Sequence, residues 1–176
     1  MRAFIAVNLP AEFKEEIIIL QNRINKDFWR GKLTEPENIH LTLKFLGEIS
    51  QEKMVKVKEL LEKVRMSPQK IIMEQVGLFK RNSSPAIIWV KIRGLEKLQE
   101  KIDDVLKYKF EKEKRFMSHI TIARVKLVTN KKNFENLIRG SKIRPLESQV
   151  IEFKLLMSDL SKGKPEYSTL KTYPLY

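Results

Sequence analysis

The sequence predicts an α+β fold of two lobes, each an antiparallel sheet with helices on its outer face, with a central cleft between them. Three observations predict it. Residues Asn38 to Gly47 alternate: Ile39, Leu41, Leu43 and Phe45 are apolar while Asn38, His40, Thr42 and Lys44 are polar, the period of a half-buried strand. Seventy-nine residues on from His40, Ser118-His119-Ile120-Thr121-Ile122-Ala123-Arg124 repeats the same local design. Strand and helix periodicities alternate along all 176 residues with no linker long enough to part independent domains, so one domain spanning 1–176 is expected.

The elements follow in order. Arg2 to Val7 is apolar and reads as a buried strand, too short to be a secretory apolar core. Pro10 suits a first helical turn, and Phe13, Ile17, Leu20 and Ile24 mark one face of a helix from Pro10 to Lys26. Asp27 to Pro36 is an irregular link with room for a short strand, Trp29 to Leu33, before the first motif strand. Ser50 is an N-cap candidate for a helix marked by Met54, Val57, Leu61 and Val64 that runs to Arg65. Ser67-Pro68 breaks it. Lys70 to Phe79 and Ala86 to Ile92 read as strands around the polar turn Lys80 to Pro85, with Trp89 as a core residue. Leu95, Leu98, Ile102 and Val105 mark a third helix ending at Tyr108. Lys109 to Arg115 is a charge run, expected as a solvated loop. The second motif strand spans Phe116 to Val125, a short helix spans Asn133 to Arg139, and two strands, Ser148 to Ser158 and Tyr167 to Tyr173, close the chain.

Composition narrows the chemistry. A net charge of +13 suits a polyanionic partner such as nucleic acid, and equally suits the mixed Lys/Glu surface of a heat-stable protein. The absence of cysteine excludes disulfides, thiol nucleophiles and thiolate metal sites. No apolar run is long enough to span a membrane, so cytoplasmic residence is the default expectation.

The chain has two histidines, and each stands two residues before a threonine, with only six threonines available. On a strand, residues i and i+2 share a face, so His40 projects with Thr42 and His119 with Thr121. A zinc site is a poor fit, because two imidazoles lack the third or fourth ligand and neither motif supplies a carboxylate. A Ser118–His119 nucleophile pair is excluded, because neighbours on a strand point to opposite faces. Paired acid–base chemistry fits best. An imidazole titrates at about 6.5, so near neutrality one ring can take a proton from water while another gives one to a leaving oxygen. A phosphodiester suits two separated histidines, since attack and departure occur on opposite sides of phosphorus. The threonine hydroxyls are placed to stabilise the non-bridging oxygens. Neither metal nor cofactor is required by this scheme. The pattern alone leaves open which histidine is acid and which is base.

His40-Leu41-Thr42-Leu43 and His119-Ile120-Thr121-Ile122 resemble the paired H-x-T-x motifs of the 2H phosphoesterase superfamily. The flanks, including Met1 to Ala6, Lys44-Phe45-Leu46-Gly47, Ala86 to Val90, Ala123-Arg124 and Tyr167 to Tyr176, resemble the RNA 2′,3′-cyclic phosphodiesterases, formerly called 2′-5′ RNA ligases. That resemblance implies a bilobal fold with a pseudo-two-fold axis. It also implies hydrolysis of a terminal RNA 2′,3′-cyclic phosphate to a 2′-phosphomonoester. The partner it implies is RNA with such ends, tRNA fragments being one source. His40 would be the proton donor to the departing 3′ oxygen and His119 the proton acceptor from water. Thr42, Thr121 and Arg124 would hold the phosphate, and Phe45 the nucleotide. Strict alternation places Phe45 and Arg124 opposite the histidines, so a bulge would be needed to bring them round. The same alternation puts Lys44 on the His40 face, facing RNA phosphate or solvent. A 2′-5′ ligase working through the same groups and a non-catalytic RNA-end-binding module are the alternatives. A monomer is expected, since the two lobes pair internally.

Overall fold

The computed structural model describes residues 1–24, 26–80 and 86–176. Two antiparallel sheets form the frame. The first has four strands: β1 (Arg2–Val7), β3 (Leu41–Glu48), β8 (Glu152–Asp159) and β9 (Glu166–Pro174), in the spatial order β3-β1-β8-β9. The second has five: β2 (Trp29–Leu33), β4 (Gln69–Phe79), β5 (Ala86–Arg93), β6 (His119–Val128) and β7 (Glu147–Val150), in the order β2-β6-β5-β4-β7. Four helices complete it: α1 (Ala11–Arg23), α2 (Gln51–Leu61), α3 (Glu96–Leu106) and α4 (Lys131–Gly140). The expected α+β, two-sheet architecture is therefore present.

Each of three helices begins where local chemistry satisfies its free amides. The Pro10 carbonyl accepts from Phe13 N at 3.0 Å, the Ser50 side chain accepts from Lys53 N, and the Asn130 side chain accepts from Asn133 N at 3.0 Å. Two of the helices cross over between lobes. Helix α1 follows a strand of the first sheet yet packs against β6 of the second, while α3 follows a strand of the second and packs against β3 of the first, beside α2. One continuous core results, in which Phe13, Ile17 and Leu20 of α1 and Leu98, Ile102 and Leu106 of α3 are buried with Ile5, Leu41, Leu43, Ile120 and Ile122 of the strands. Phe4, Ala6 and Leu156 form a separate small cluster on the other face of the first sheet, with Tyr167 against it.

Several expectations change. Ser148 to Ser158 is not one strand but two, parted at Ile151; β7 pairs with β4 in the second sheet, while β8 pairs with β1 and β9 in the first. The second helix ends at Leu61 rather than Arg65, and the second motif strand begins at His119 and runs to Val128. The expected polar turn Lys80 to Pro85 lies, from 81 to 85, outside the described residues. No helix among the described residues is long and apolar enough to cross a membrane.

Candidate active site

Both motif strands carry a bulge at the same place. Ala6 of β1 pairs with Thr42 and Ile5 pairs with Lys44, so Leu43 is an extra residue in β3. In the second sheet Trp89 of β5 pairs with Thr121 and Ile88 pairs with Ala123, so Ile122 is extra in β6. The consecutive pairs Leu43/Lys44 and Ile122/Ala123 are accordingly buried together. A bulge reverses the phase of alternation beyond it. Phe45 therefore returns to the face of Thr42, paired with Phe4, and Arg124 returns to the face of Thr121, paired with Ile87. Simple alternation, which placed both on the opposite face, is corrected here. Phe45 is 71% exposed and Arg124 is exposed.

Lys44 is corrected in the same stroke. It turns inward rather than towards solvent, and its Nζ donates to Asp103 Oδ1 at 2.5 Å and to the Glu111 carbonyl at 2.7 Å. The side chains of this ion pair are 6% and 4% exposed. Asp103 Oδ2 accepts from Gln99 Nε2 and from Glu113 N, both at 2.8 Å. Burial pushes the Asp103 carboxyl up, but the bonds from Lys44, Glu113 N and Gln99, with the Lys44 charge, bring it to a net value below the ordinary carboxylate range. The charge run is thus not a free loop, since its backbone at Glu111 and Glu113 is tied to β3 and α3. The β6 bulge is tied down by α1 and by the residue after β2. The Ile122 carbonyl accepts from Thr34 N and from Gln21 Nε2, both at 2.9 Å, and Thr34 Oγ1 donates to the Thr121 carbonyl at 2.8 Å.

The histidines are held alike. His40 Nδ1 is 2.7 Å from the Asn38 carbonyl, and His119 Nδ1 is 2.7 Å from the Met117 carbonyl. A carbonyl only accepts, so Nδ1 carries the proton in both rings and Nε2 is the nitrogen that can exchange one. His40 Nε2 lies 3.0 Å from Thr42 Oγ1. Aromatic edges fix each ring: Tyr167 meets His40 at 5.1 Å between centroids and 87°, and Phe79 meets His119 with the same values. Phe4 also packs on His40 at 5.1 Å. Behind Phe79 stands Trp89, 5.3 Å away, which lies over Gly77; a Cβ there would sit 2.1 Å from Trp89 Cη2, so only glycine leaves room for the indole.

Strands β3 and β6 approach each other across the junction of the lobes. The Arg124 charge from the second sheet acts on both His40 and Tyr167 of the first. Burial chiefly holds the His40 imidazole below its ordinary range; the Asn38 carbonyl opposes this, and the Lys14 and Arg124 charges add to it. Burial pushes the Tyr167 phenol up. The structure places Thr42 and Phe45 on β3 with His40 just before it, and His119, Thr121 and Arg124 on β6, with the Arg124 charge reaching His40. Phe4, Phe79, Tyr167 and Lys14, which sequence patterns do not single out, belong to the same surroundings. The signal available for Phe4 is its alternation with Ala3 and Ile5, on a strand too apolar for phase to show. Among the described residues no three or more His, Asp or Glu side chains gather as a metal site.

Known proteins match this arrangement. The profile of the family described as LigT like Phosphoesterase fits residues 7–89 and again 91–167, once for each motif. A Methanocaldococcus jannaschii protein named RNA 2′,3′-cyclic phosphodiesterase is 33% identical, over 98% of this chain and 100% of its own. A crystal structure of a Thermus thermophilus protein superposes with a TM-score of 0.80 at 26% identity, covering 99% of this chain and 97% of that one. Escherichia coli LigT complexed with 3′-AMP gives 0.77 at 27% identity, covering 99% and 97%. With both halves matched by one profile, each over one His-x-Thr motif and its bulged strand, the chain belongs to the LigT-like phosphoesterases of the 2H class.

Proposed function

We propose that the protein hydrolyses RNA 2′,3′-cyclic phosphate ends to 2′-phosphomonoesters without a metal ion. The observation that carries this is the matched tethering of His40 and His119, each with Nδ1 bonded to a backbone carbonyl two residues upstream and Nε2 left for proton exchange. Water attacks phosphorus and gives its proton to His119 Nε2. The P–O3′ bond breaks, and O3′ takes a proton from His40 Nε2. The 2′-phosphate and a free 3′-hydroxyl leave. Thr42 and Thr121 donate to the non-bridging oxygens, Arg124 neutralises their charge, and Phe45 supports the terminal nucleotide. The names of the curated relatives and the 3′-AMP bound to the E. coli protein support an RNA-derived ligand.

The depressed His40 affinity for protons has a consequence. In the free protein its neutral form dominates at neutrality, because burial and two cations disfavour imidazolium. An anionic phosphodiester in the cleft offsets Lys14 and Arg124 and favours the protonated ring, so the substrate itself recruits the donor form. Turnover of an RNA ending in a 2′,3′-cyclic phosphate, followed in EDTA, tests the proposal. Activity persists in EDTA, the product carries a 2′-phosphate, and His40→Ala and His119→Ala each reduce kcat by about 10²–10⁴-fold. Loss of activity in EDTA, or full activity in both variants, overturns it.

A further inference from the structure

Beside Phe45, and without His40 in its walls, lies a groove of about 380 Å³ lined by Lys44, Phe45, Phe110, Glu111, Lys112, Glu113 and Lys114. Phe45 belongs to both places. Its ring packs 6.1 Å from Phe4, which touches His40 at 5.1 Å, and its other surroundings form one wall of the groove. Phe110 is another of its walls, with the Lys53 ammonium 4.2 Å from its ring centroid. The segment between is set in place by the buried Lys44–Asp103 pair and its bonds to the Glu111 carbonyl and Glu113 amide.

Charge separates this groove from the cleft. Around His40 and Tyr167 the acting charges are the cations Arg2, Lys14 and Arg124, a setting for phosphate. Around the groove, Lys44 is paired with Asp103 and Lys112 with Asp104, and Lys53 and Lys114 are balanced by Glu111 and Glu113. A neutral slot with two phenylalanine rings and carboxylates at its rim fits a flat, uncharged group bearing N–H donors. We infer that it holds the nucleobase of the residue preceding the reacting end, so that the substrate class is an oligonucleotide rather than a cyclic mononucleotide; this rests on the cyclic phosphodiesterase reading above. With the terminal nucleotide on Phe45, the chain's next base arrives on the far side of that ring. Stacking of a base on aromatic side chains is worth about 5- to 150-fold in affinity and tolerates any sequence.

Steady-state kinetics on three substrates test the inference: adenosine 2′,3′-cyclic phosphate, a dinucleotide with the same cyclic end, and that dinucleotide with its 5′ residue abasic. The intact dinucleotide exceeds the other two in kcat/KM by about tenfold or more through a lower KM. The ratio of intact to abasic dinucleotide, which carry the same phosphates, holds between low and high salt, as a neutral contact requires, and falls towards one in Phe110→Leu, which keeps the apolar bulk packed on the core. An abasic dinucleotide as good as the intact one, a ratio that collapses with salt, or a ratio that survives Phe110→Leu overturns the subsite. Hydrolysis of the mononucleotide with no gain from the added base overturns the subsite alone. Hydrolysis of none of the three overturns the cyclic phosphodiesterase reading and the subsite with it.

Discussion

Replacing Lys44 by methionine keeps most of the side chain's length and removes its charge. Asp103 is then left 4% exposed, with Gln99 Nε2 and Glu113 N as remaining donors, while the Glu111 carbonyl loses the lysine donor. Removing one member of a buried pair costs about 3–5 kcal/mol, because the stranded charge has no solvent. A protein of this size loses roughly 2–4 °C of Tm per kcal/mol, so a fall of about 6–20 °C is expected at neutral pH. The pH dependence carries the mechanism. In the native protein the Asp103 carboxyl is held low, so its stabilisation is present above the unfolded value of about 3.9 and is lost as pH falls through the native one. In Lys44→Met burial is opposed only by the Glu113 and Gln99 bonds, so the carboxyl rises from its native value. The variant's deficit is then full at pH 7 and narrows as acid drives a proton onto Asp103, towards about pH 4. Thermal unfolding followed by circular dichroism at both pH values measures this, and Lys44→Met/Asp103→Leu recovers most of the loss. A deficit below about 1 kcal/mol, or one indifferent to pH, would refute the account of Lys44 as half of a buried ion pair.

Gly77→Ala drives a Cβ to 2.1 Å from the Trp89 ring, so the indole shifts and Phe79 with it; about 1–3 kcal/mol of stability is lost and kcat falls more than KM rises, read by unfolding and steady-state kinetics. Gln21→Leu removes the donor shared by the Thr34 and Ile122 carbonyls, costing about 1–3 kcal/mol and increasing hydrogen exchange at the Thr34 amide, which is bonded to Ile122. Because burial depresses His40 and a bound anion opposes that depression, the basic limb of kcat lies at higher pH than that of kcat/KM; coincident limbs count against His40 as the donor. The same depression means that His40 stabilises the fold less as pH drops below about 6.5, since the unfolded chain binds the proton first, and the Tm of His40→Gln lacks that dependence.

The local features of the chain are legible because they rest on short-range physics. Ser50 caps its helix where the hydroxyl accepts from an amide three residues on. What periodicity misreads is phase. Leu43 and Ile122 look like ordinary members of an alternating strand, and only pairing with β1 and β5 reveals each as an extra residue. Lys44 is misplaced by alternation for that reason, since its burial depends on Asp103, 59 residues away.

The sequence by itself determined which side chains project together: two histidines each stand two residues before a threonine in an alternating stretch, and side-chain direction in extended backbone is set by the backbone. The tertiary structure alone decided which sheet each strand joins, as Ile151 shows by parting two strands that periodicity runs together. It also decided where the bulges turn Phe45 and Arg124 back towards the histidines. Strand partners and bulges are settled by hydrogen bonds between residues far apart in the chain, and no local window of sequence contains both ends of such a bond.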